Sequence, residues 1–152
     1  MFNVIIDSRE QQPWSFTSSS VEKTIVKKLD TGDYSIEGLE DLLCIERKQS
    51  VAELATNITS DRFERELERM SMFKYKFLLL EFDYYKIDQY PEGSDIPKRL
   101  WDKICISGSF IMKRLSDIQI KYDIHVIMCG NTQYAEYIAY NIMKRVYESQ
   151  NL

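Results

Sequence analysis

In Leu42-Leu43-Cys44-Ile45-Glu46-Arg47-Lys48, four apolar residues run directly into three charges. A short apolar run reads as a buried strand. The charges then stand at the strand's end, where leaving water is costly unless they pair or bind ions. Residues two apart on an extended segment share a face. Glu46 and Lys48 therefore point together, and Arg47 points to the other side.

Upstream, Tyr34-Ser35-Ile36 reads as a strand closing at Gly38, preceded by the turn Asp30-Thr31-Gly32-Asp33. Thr24 to Leu29 is a further strand candidate. Phe2 to Ile6 is another, running into the charged Asp7-Ser8-Arg9-Glu10 and then Pro13, which discourages regular structure. Strands this closely spaced predict an antiparallel meander before the first helix.

Downstream the period changes. Val51, Leu54, Ala55 and Ile58 fall at i, i+3, i+4 and i+7, the face of a helix that Ser50 and Glu53 open as a capping box. A second helix follows Asp61, with Phe63, Leu67 and Met70 on one face and Arg62, Arg65 and Arg69 as a displaced basic stripe. Glu64, Glu66 and Glu68 interleave with that stripe, so a solvated face with i,i+4 pairing stands beside a phosphate-binding reading. Lys76 to Phe82 is a central strand and Tyr90 to Pro97 a loop. Arg99 to Lys121 is helical with a break near Ser107-Gly108-Ser109, His125 to Cys129 is the last strand, and Tyr134 to Tyr147 is the closing helix. Strands alternating with helices predict an α/β fold around a mixed sheet.

The chain has 152 residues, 44% of them hydrophobic, enough for one ordinary core and a single domain over 1–152. Charged residues at 29% and only eight Pro plus Gly exclude a disordered or fibrous chain. No apolar run spans a bilayer and no signal sequence opens the chain, so no membrane is expected and the setting is intracellular. That setting is cytoplasmic in a prokaryote or virus and nuclear in a eukaryote. A net charge of −4 argues against coating nucleic acid by bulk attraction, yet acids gathered around cations are compatible with a nuclease.

Cys44, Cys105 and Cys129 include no C-x-x-C pair and read as small buried hydrophobes. His125, the only histidine, reads as structural. Trp14 and Phe16 read as a staple holding the first loop to the sheet.

The chemistry gathers at strand ends: Asp7, Glu10, Asp33, Glu46, Arg47 and Lys48. Asp33 and Glu46 come from neighbouring strands, so a hairpin brings two carboxylates to one hard divalent ion, Mg²⁺ or Mn²⁺, with the Lys48 ammonium beside them. From the other face Arg47 is suited to bracing Asp7 or Glu10. Glu-Arg-Lys alone is ordinary surface chemistry, and Asp33 alone is ordinary turn chemistry.

Taken in order, Ile5-Ile6-Asp7-Ser8-Arg9-Glu10, Gly32-Asp33-Tyr34 and Ile45-Glu46-Arg47-Lys48 resemble the signature of XPF-type nucleases, a branch of the PD-(D/E)xK superfamily that cuts branched or flapped DNA. Asp61 to Leu67 is similar to that family's arginine-bearing helix. The resemblance implies a restriction-endonuclease-like three-layer fold, and the length of 152 residues leaves no room for a helix-hairpin-helix or helicase domain, so a stand-alone form is expected. It implies a Mg²⁺- or Mn²⁺-dependent endonuclease acting on DNA in repair, recombination or replication. Asp33 and Glu46 match the metal-holding residues and Lys48 the lysine near the attacked phosphate. Asp7 and Glu10 complete the acidic site, and Arg9 and Arg47 match arginines that stabilise it or touch DNA. Arg62, Arg65 and Arg69 are candidate DNA contacts, and the C-terminal helices a candidate homodimer face.

One departure stands out. The family continues E-R-K-x-x-x-D, whereas position 52 here is Ala52 and the nearest acid is Glu53. Glu53 reads either as a substitute metal ligand or only as half of the capping box. Because the family includes nuclease domains that have lost their acids, a non-catalytic DNA-binding or scaffolding partner is the alternative function.

Overall fold

Among the described residues six strands form one sheet: β1 (Phe2–Asp7), β2 (Val21–Lys27), β3 (Tyr34–Ile36), β4 (Leu43–Lys48), β5 (Tyr75–Leu80) and β6 (His125–Met128), in the spatial order β2-β1-β3-β4-β5-β6. The helices are α1 (Val51–Asn57), α2 (Asp61–Met70), α3 (Tyr84–Gln89), α4 (Gly108–Tyr122) and α5 (Thr132–Gln150), with a short 3₁₀ helix at Lys98–Lys103. The computed structural model describes residues 1–151; Leu152, the last position of the expected domain, lies outside the described residues.

The sheet is mixed, as the alternation of elements predicts. β1 runs antiparallel to β3 and β3 to β4, whereas β4, β5 and β6 are mutually parallel. The meander expectation fails at β2, which pairs parallel to β1 as an edge strand. A parallel neighbour needs a crossover of roughly a dozen residues, and residues 8–20 supply it. Trp14 and Phe16 pin that crossover down, both buried and both packed against Tyr34.

Strand alternation sorts the core into two layers. Cys44, Leu78 and Leu80 face one side, where Leu54, Leu67 and Leu115 from α1, α2 and α4 meet them. Leu43, Ile45 and Leu79 face the other, against Ala135, Ala139 and Met143 of α5. The small Ala135 and Ala139 let α5 lie close to the sheet. Every residue of β4 is buried, its three charges included.

Helix ends follow their caps. Ser50, Ser60, Asp83, Ser107 and Asn131 each accept a backbone N–H of the first turn that follows. The Ser107 cap explains why the expected Arg99–Lys121 helix is interrupted: the chain restarts there as α4. α3 falls in a segment given no element from sequence, since only Ile87 of its six residues is buried. Cys105 is exposed, against expectation, because it follows the 3₁₀ helix in an irregular segment and has no core layer to enter. Cys44 and Cys129 are buried as expected. His125 is exposed at the start of β6, with its ring stacked on Phe77 at 5.0 Å between centroids. Among the described residues no helix is long and apolar enough to cross a membrane.

Candidate functional site

The backbone brings Asp33 to β4 before any side chain is considered. Asp33 N donates to Ile45 O at 2.8 Å, Asp7 N to Asp33 O at 2.8 Å, and Arg47 N to Asp33 Oδ2 at 2.9 Å. The turn can approach this closely only because residue 32 is glycine. Its φ is +83°, and a Cβ there would lie 2.5 Å from Cys44 Sγ and 3.2 Å from Ile45 O.

Asp33, Glu46 and Lys48 open onto one cavity of about 310 Å³, which Asp7, Glu10 and Glu53 also line. Glu46 is 4% exposed, and its Oε2 is buried without a hydrogen-bond partner. Burial, the Asp33 charge and the neighbouring Glu66 carboxyl raise its pKa well above the usual carboxylate range. Burial likewise pushes Asp33 up to about 6, although contact with the Glu46 carboxyl and the Arg47 N–H oppose the shift. A buried acid held against a half-buried one, with one oxygen lacking a donor, is expensive to ionise without a cation.

Lys48 shares this face, as the two-residue period predicts. Its Nζ donates to Asn57 Oδ1 at 2.5 Å, lies 4.0 Å from Glu46 Oε1 and 3.8 Å from Glu53 Oε1, and sits 4.9 Å from the Phe63 ring centroid. Glu53 takes part in the cap of α1 and also lines the cavity. Ser50 Oγ accepts its N–H, its Oε2 accepts the Gln49 N–H, and its Oε1 reaches toward Lys48.

Arg47 points the other way and is 5% exposed. It braces Glu10 and not Asp7: Nη1 donates to Glu10 Oε2 at 3.0 Å and to Gln12 O at 2.7 Å. Burial works against its charge, but Glu81, Tyr34 and Glu10 together outweigh it and raise its pKa. Asp7 belongs instead to Arg9, whose Nε donates to Oδ2 at 2.8 Å, while Leu29 N donates to Oδ1 at 2.8 Å. Burial would raise the Asp7 pKa, yet these bonds hold it below the ordinary value. Both Asp7 oxygens therefore accept hydrogen bonds. Glu10 Oε2 is also engaged, by Arg47 and by the Tyr34 hydroxyl at 2.7 Å.

On α2, Arg62, Arg65 and Arg69 are all exposed, but only Arg62 and Arg69 line the cavity. Among the described residues none of the three forms an ion pair, so the expected i,i+4 pairing is absent. Glu64 turns to α4 instead, accepting from Arg114 at 3.0 Å, from Lys121 at 3.2 Å and from the Tyr122 hydroxyl.

Three residues of this neighbourhood escape the sequence. Glu66 lines the cavity beside Glu46, Asn57 holds Lys48, and Glu81 holds Arg47. Only Glu81 carried a signal. It ends the apolar run Phe77-Leu78-Leu79-Leu80 as Glu46 ends that of β4.

The pattern that defines the ERCC4 domain matches residues 6–141. The chain belongs to the ERCC4 domain family. This ERCC4 domain has the XPF-type nuclease fold. It superimposes on XPF from Aeropyrum pernix in complex with DNA at a TM-score of 0.69 and 18% identity, over 98% of this chain and 66% of that one. A further structure, XPF from Aeropyrum pernix, gives a TM-score of 0.68 at 17% identity, over 95% of this chain and 61% of that one. The chain thus spans less than two thirds of the length of either. No curated protein matches it in sequence.

Proposed function

We propose that this ERCC4 domain is a Mg²⁺- or Mn²⁺-dependent endodeoxyribonuclease, hydrolysing phosphodiester bonds in branched or structured DNA during repair, recombination or replication. One observation carries the reading: Glu46 Oε2 is buried and unpartnered beside the Asp33 carboxyl, on the face that also presents Lys48. The family supports it, and one solved structure of the same fold is a complex with DNA. An intracellular setting belongs to the same proposal. So does a homodimer through α5, where Tyr134 and Tyr137 are exposed.

The donor set fits a hard divalent cation. Among the described residues no group of three or more His, Cys, Asp or Glu side chains forms a ready ligand set. Mg²⁺ keeps several waters and is commonly held by one or two carboxylates plus phosphate, so Asp33 and Glu46 suffice. When bound, such an ion polarises the phosphate and lowers the pKa of its water.

The chain's own residues supply the rest. Asp33 and Glu46 concentrate negative charge where a cation is needed. Lys48 offers an ammonium, free of a tight ion pair, for the charge that develops on the phosphate. Arg62 and Arg69 offer exposed guanidinium groups to flanking phosphates. Arg47 and Glu10 hold the end of β4 and the loop after β1 together from behind.

The test incubates purified protein with labelled duplex, single-stranded, flap and four-way DNA, with Mg²⁺, Mn²⁺ or EDTA, alongside Asp33→Ala and Lys48→Ala. Metal-dependent cleavage abolished by both substitutions is expected. Cleavage surviving EDTA, or equal in wild type and variants, would sink the proposal. DNA binding without cleavage under either metal would move the domain to a scaffolding role.

A further inference from the structure

Behind the catalytic face lies a buried carboxylate that the reaction does not use. Glu81 follows β5 and is 6% exposed. Four donor bonds converge on it. Arg47 Nε donates to Oε2 at 2.6 Å, Arg47 Nη2 to Oε1 at 3.3 Å, Trp14 Nε1 to Oε2 at 2.9 Å and Thr132 Oγ1 to Oε1 at 2.7 Å. A buried charge is tolerated when it is paired and its remaining lone pairs are filled, and Glu81 meets both conditions.

Its donors come from separate parts of the fold: the end of β4, the crossover between β1 and β2, and the first residue of α5. The Trp14 ring closes the arrangement, stacked on Tyr34 at 4.5 Å between centroids, with the Arg47 guanidinium carbon 4.8 Å from its own centroid. Trp14 N donates to the Tyr34 hydroxyl at 3.0 Å, and that hydroxyl donates to Glu10 Oε2.

From this geometry we infer that Glu81 is a positioning residue for the site: it fixes the Arg47 guanidinium so that Nη1 holds Glu10, and through Arg47 it fixes the end of β4 that bears Glu46 and Lys48. The fork of the guanidinium is what makes this work. Nε and Nη2 are spent on Glu81, which leaves Nη1 aimed at Glu10 and Gln12 O. Without Glu81, Arg47 would be a buried cation with Glu10 as its only carboxylate, drawn toward the cavity side of the network. The Thr132 bond extends the same link to α5, so the helix on the far layer is tied by two hydrogen bonds to a residue of the catalytic strand. The inference rests on the nuclease reading for its consequence in turnover, and on geometry alone for the placement of Arg47.

The experiment compares wild type with Glu81→Gln, Glu81→Asp and Thr132→Val. Cleavage of labelled flap DNA gives kcat and KM, titration calorimetry gives Mn²⁺ affinity, and NMR follows exchange of the Arg47 Nε–H and Tyr34 hydroxyl protons. A lost contact that fixes catalytic geometry lowers kcat more than it raises KM. Glu81→Gln is expected to cut kcat by about 10-fold or more with KM within about twofold, to weaken Mn²⁺ binding, and to speed both exchange rates. Glu81→Asp, which keeps the charge, is expected to recover part of each loss, and Thr132→Val to show a smaller change in the same direction.

Glu81→Gln that folds with kcat, Mn²⁺ affinity and exchange rates like wild type would overturn the inference. So would Glu81→Asp, which loses a methylene, falling further than the isosteric Glu81→Gln, since packing and not charge would then set the effect. Should wild type itself neither cleave nor bind Mn²⁺, the nuclease reading fails alone. The exchange rates then decide the placement of Arg47: unchanged rates in Glu81→Gln reject it.

Discussion

Lys48 Nζ donates to Asn57 Oδ1 at 2.5 Å, joining the last charged residue of β4 to the last residue of α1. Neither carboxylate near this ammonium approaches so closely: Glu53 stands at 3.8 Å and Glu46 at 4.0 Å. A neutral acceptor therefore fixes the lysine, while its charge stays available to the cavity. Hydrogen bonds to charged groups contribute about 1.5–3 kcal/mol, so Asn57→Ala should lower single-turnover cleavage by roughly 10-fold or more. The Phe63 ring and the fold remain, so DNA affinity in Ca²⁺ should change less than twofold. Unaltered cleavage in Asn57→Ala would show that the bond does not orient Lys48.

A second expectation concerns pH. Asp33 is pushed up to about 6 and Glu46 is raised well above the ordinary carboxylate range, both chiefly by burial. A carboxyl with a raised folded pKa binds its proton more tightly when folded. Its contribution to stability is thus complete below the unfolded value near 4 and is lost as pH rises through the folded value. The metal-free protein should lose stability from this pair between pH 4 and pH 6 and above. A divalent ion needs the carboxylates ionised, so the rise in Tm on adding Mn²⁺ should be larger at pH 7.5 than at pH 5. Glu46→Gln should raise the metal-free Tm at pH 7.5 and remove most of the Mn²⁺ effect. A Mn²⁺-induced rise that is equal at both pH values would contradict the assignment.

The parts of the fold legible in the sequence are those where burial alternates along one segment. β4 shows this plainly, since the two-residue period alone separates Glu46 and Lys48 from Arg47, and the structure keeps that division. β2 was legible as a strand but not in its direction. Most of its side chains are exposed, so no local pattern records which neighbour it joins. In the site, Asp33 and Glu46 could be paired from sequence because a short hairpin connects them. The partners of Arg47 and Lys48 could not. Glu81 lies 34 positions from Arg47, and Asn57 reaches Lys48 only because α1 folds back over the end of β4. The sequence also offered Asp7 and Glu10 as equal partners for Arg47. The choice was made by Arg9, which occupies Asp7.

Gly32 sets the distance between Asp33 and β4, so replacing it should disturb both stability and metal binding. Ala at φ +83° incurs about 1–2 kcal/mol of left-handed strain. The contact with Cys44 Sγ and Ile45 O adds about 1–3 kcal/mol of overpacking. Gly32→Ala is therefore expected to destabilise by roughly 2–5 kcal/mol in urea unfolding. Cys44→Ala combined with it should relieve the Sγ contact but not the backbone strain, recovering only part of the loss. Full recovery in the double variant would place the whole effect in packing.

The three arginines of α2 should not be equivalent. Arg62 and Arg69 lie seven residues apart and both line the cavity, whereas Arg65 does not. Among the described residues none is held by an acidic partner, so a DNA phosphate competes with water for each guanidinium. A basic side chain that neutralises one phosphate changes the slope of log K against log salt by about one. Arg62→Ala and Arg69→Ala are each expected to reduce that slope by about one and to weaken binding similarly across DNA sequences. Arg65→Ala should leave the slope unchanged. Binding measured by fluorescence anisotropy between low and moderate salt separates these outcomes. If Arg65→Ala lowers the slope as much as its neighbours do, the DNA runs along the outer face of α2 and not through the cavity. The scissile phosphate would then have to reach Asp33 and Glu46 by a path that leaves Arg62 and Arg69 aside.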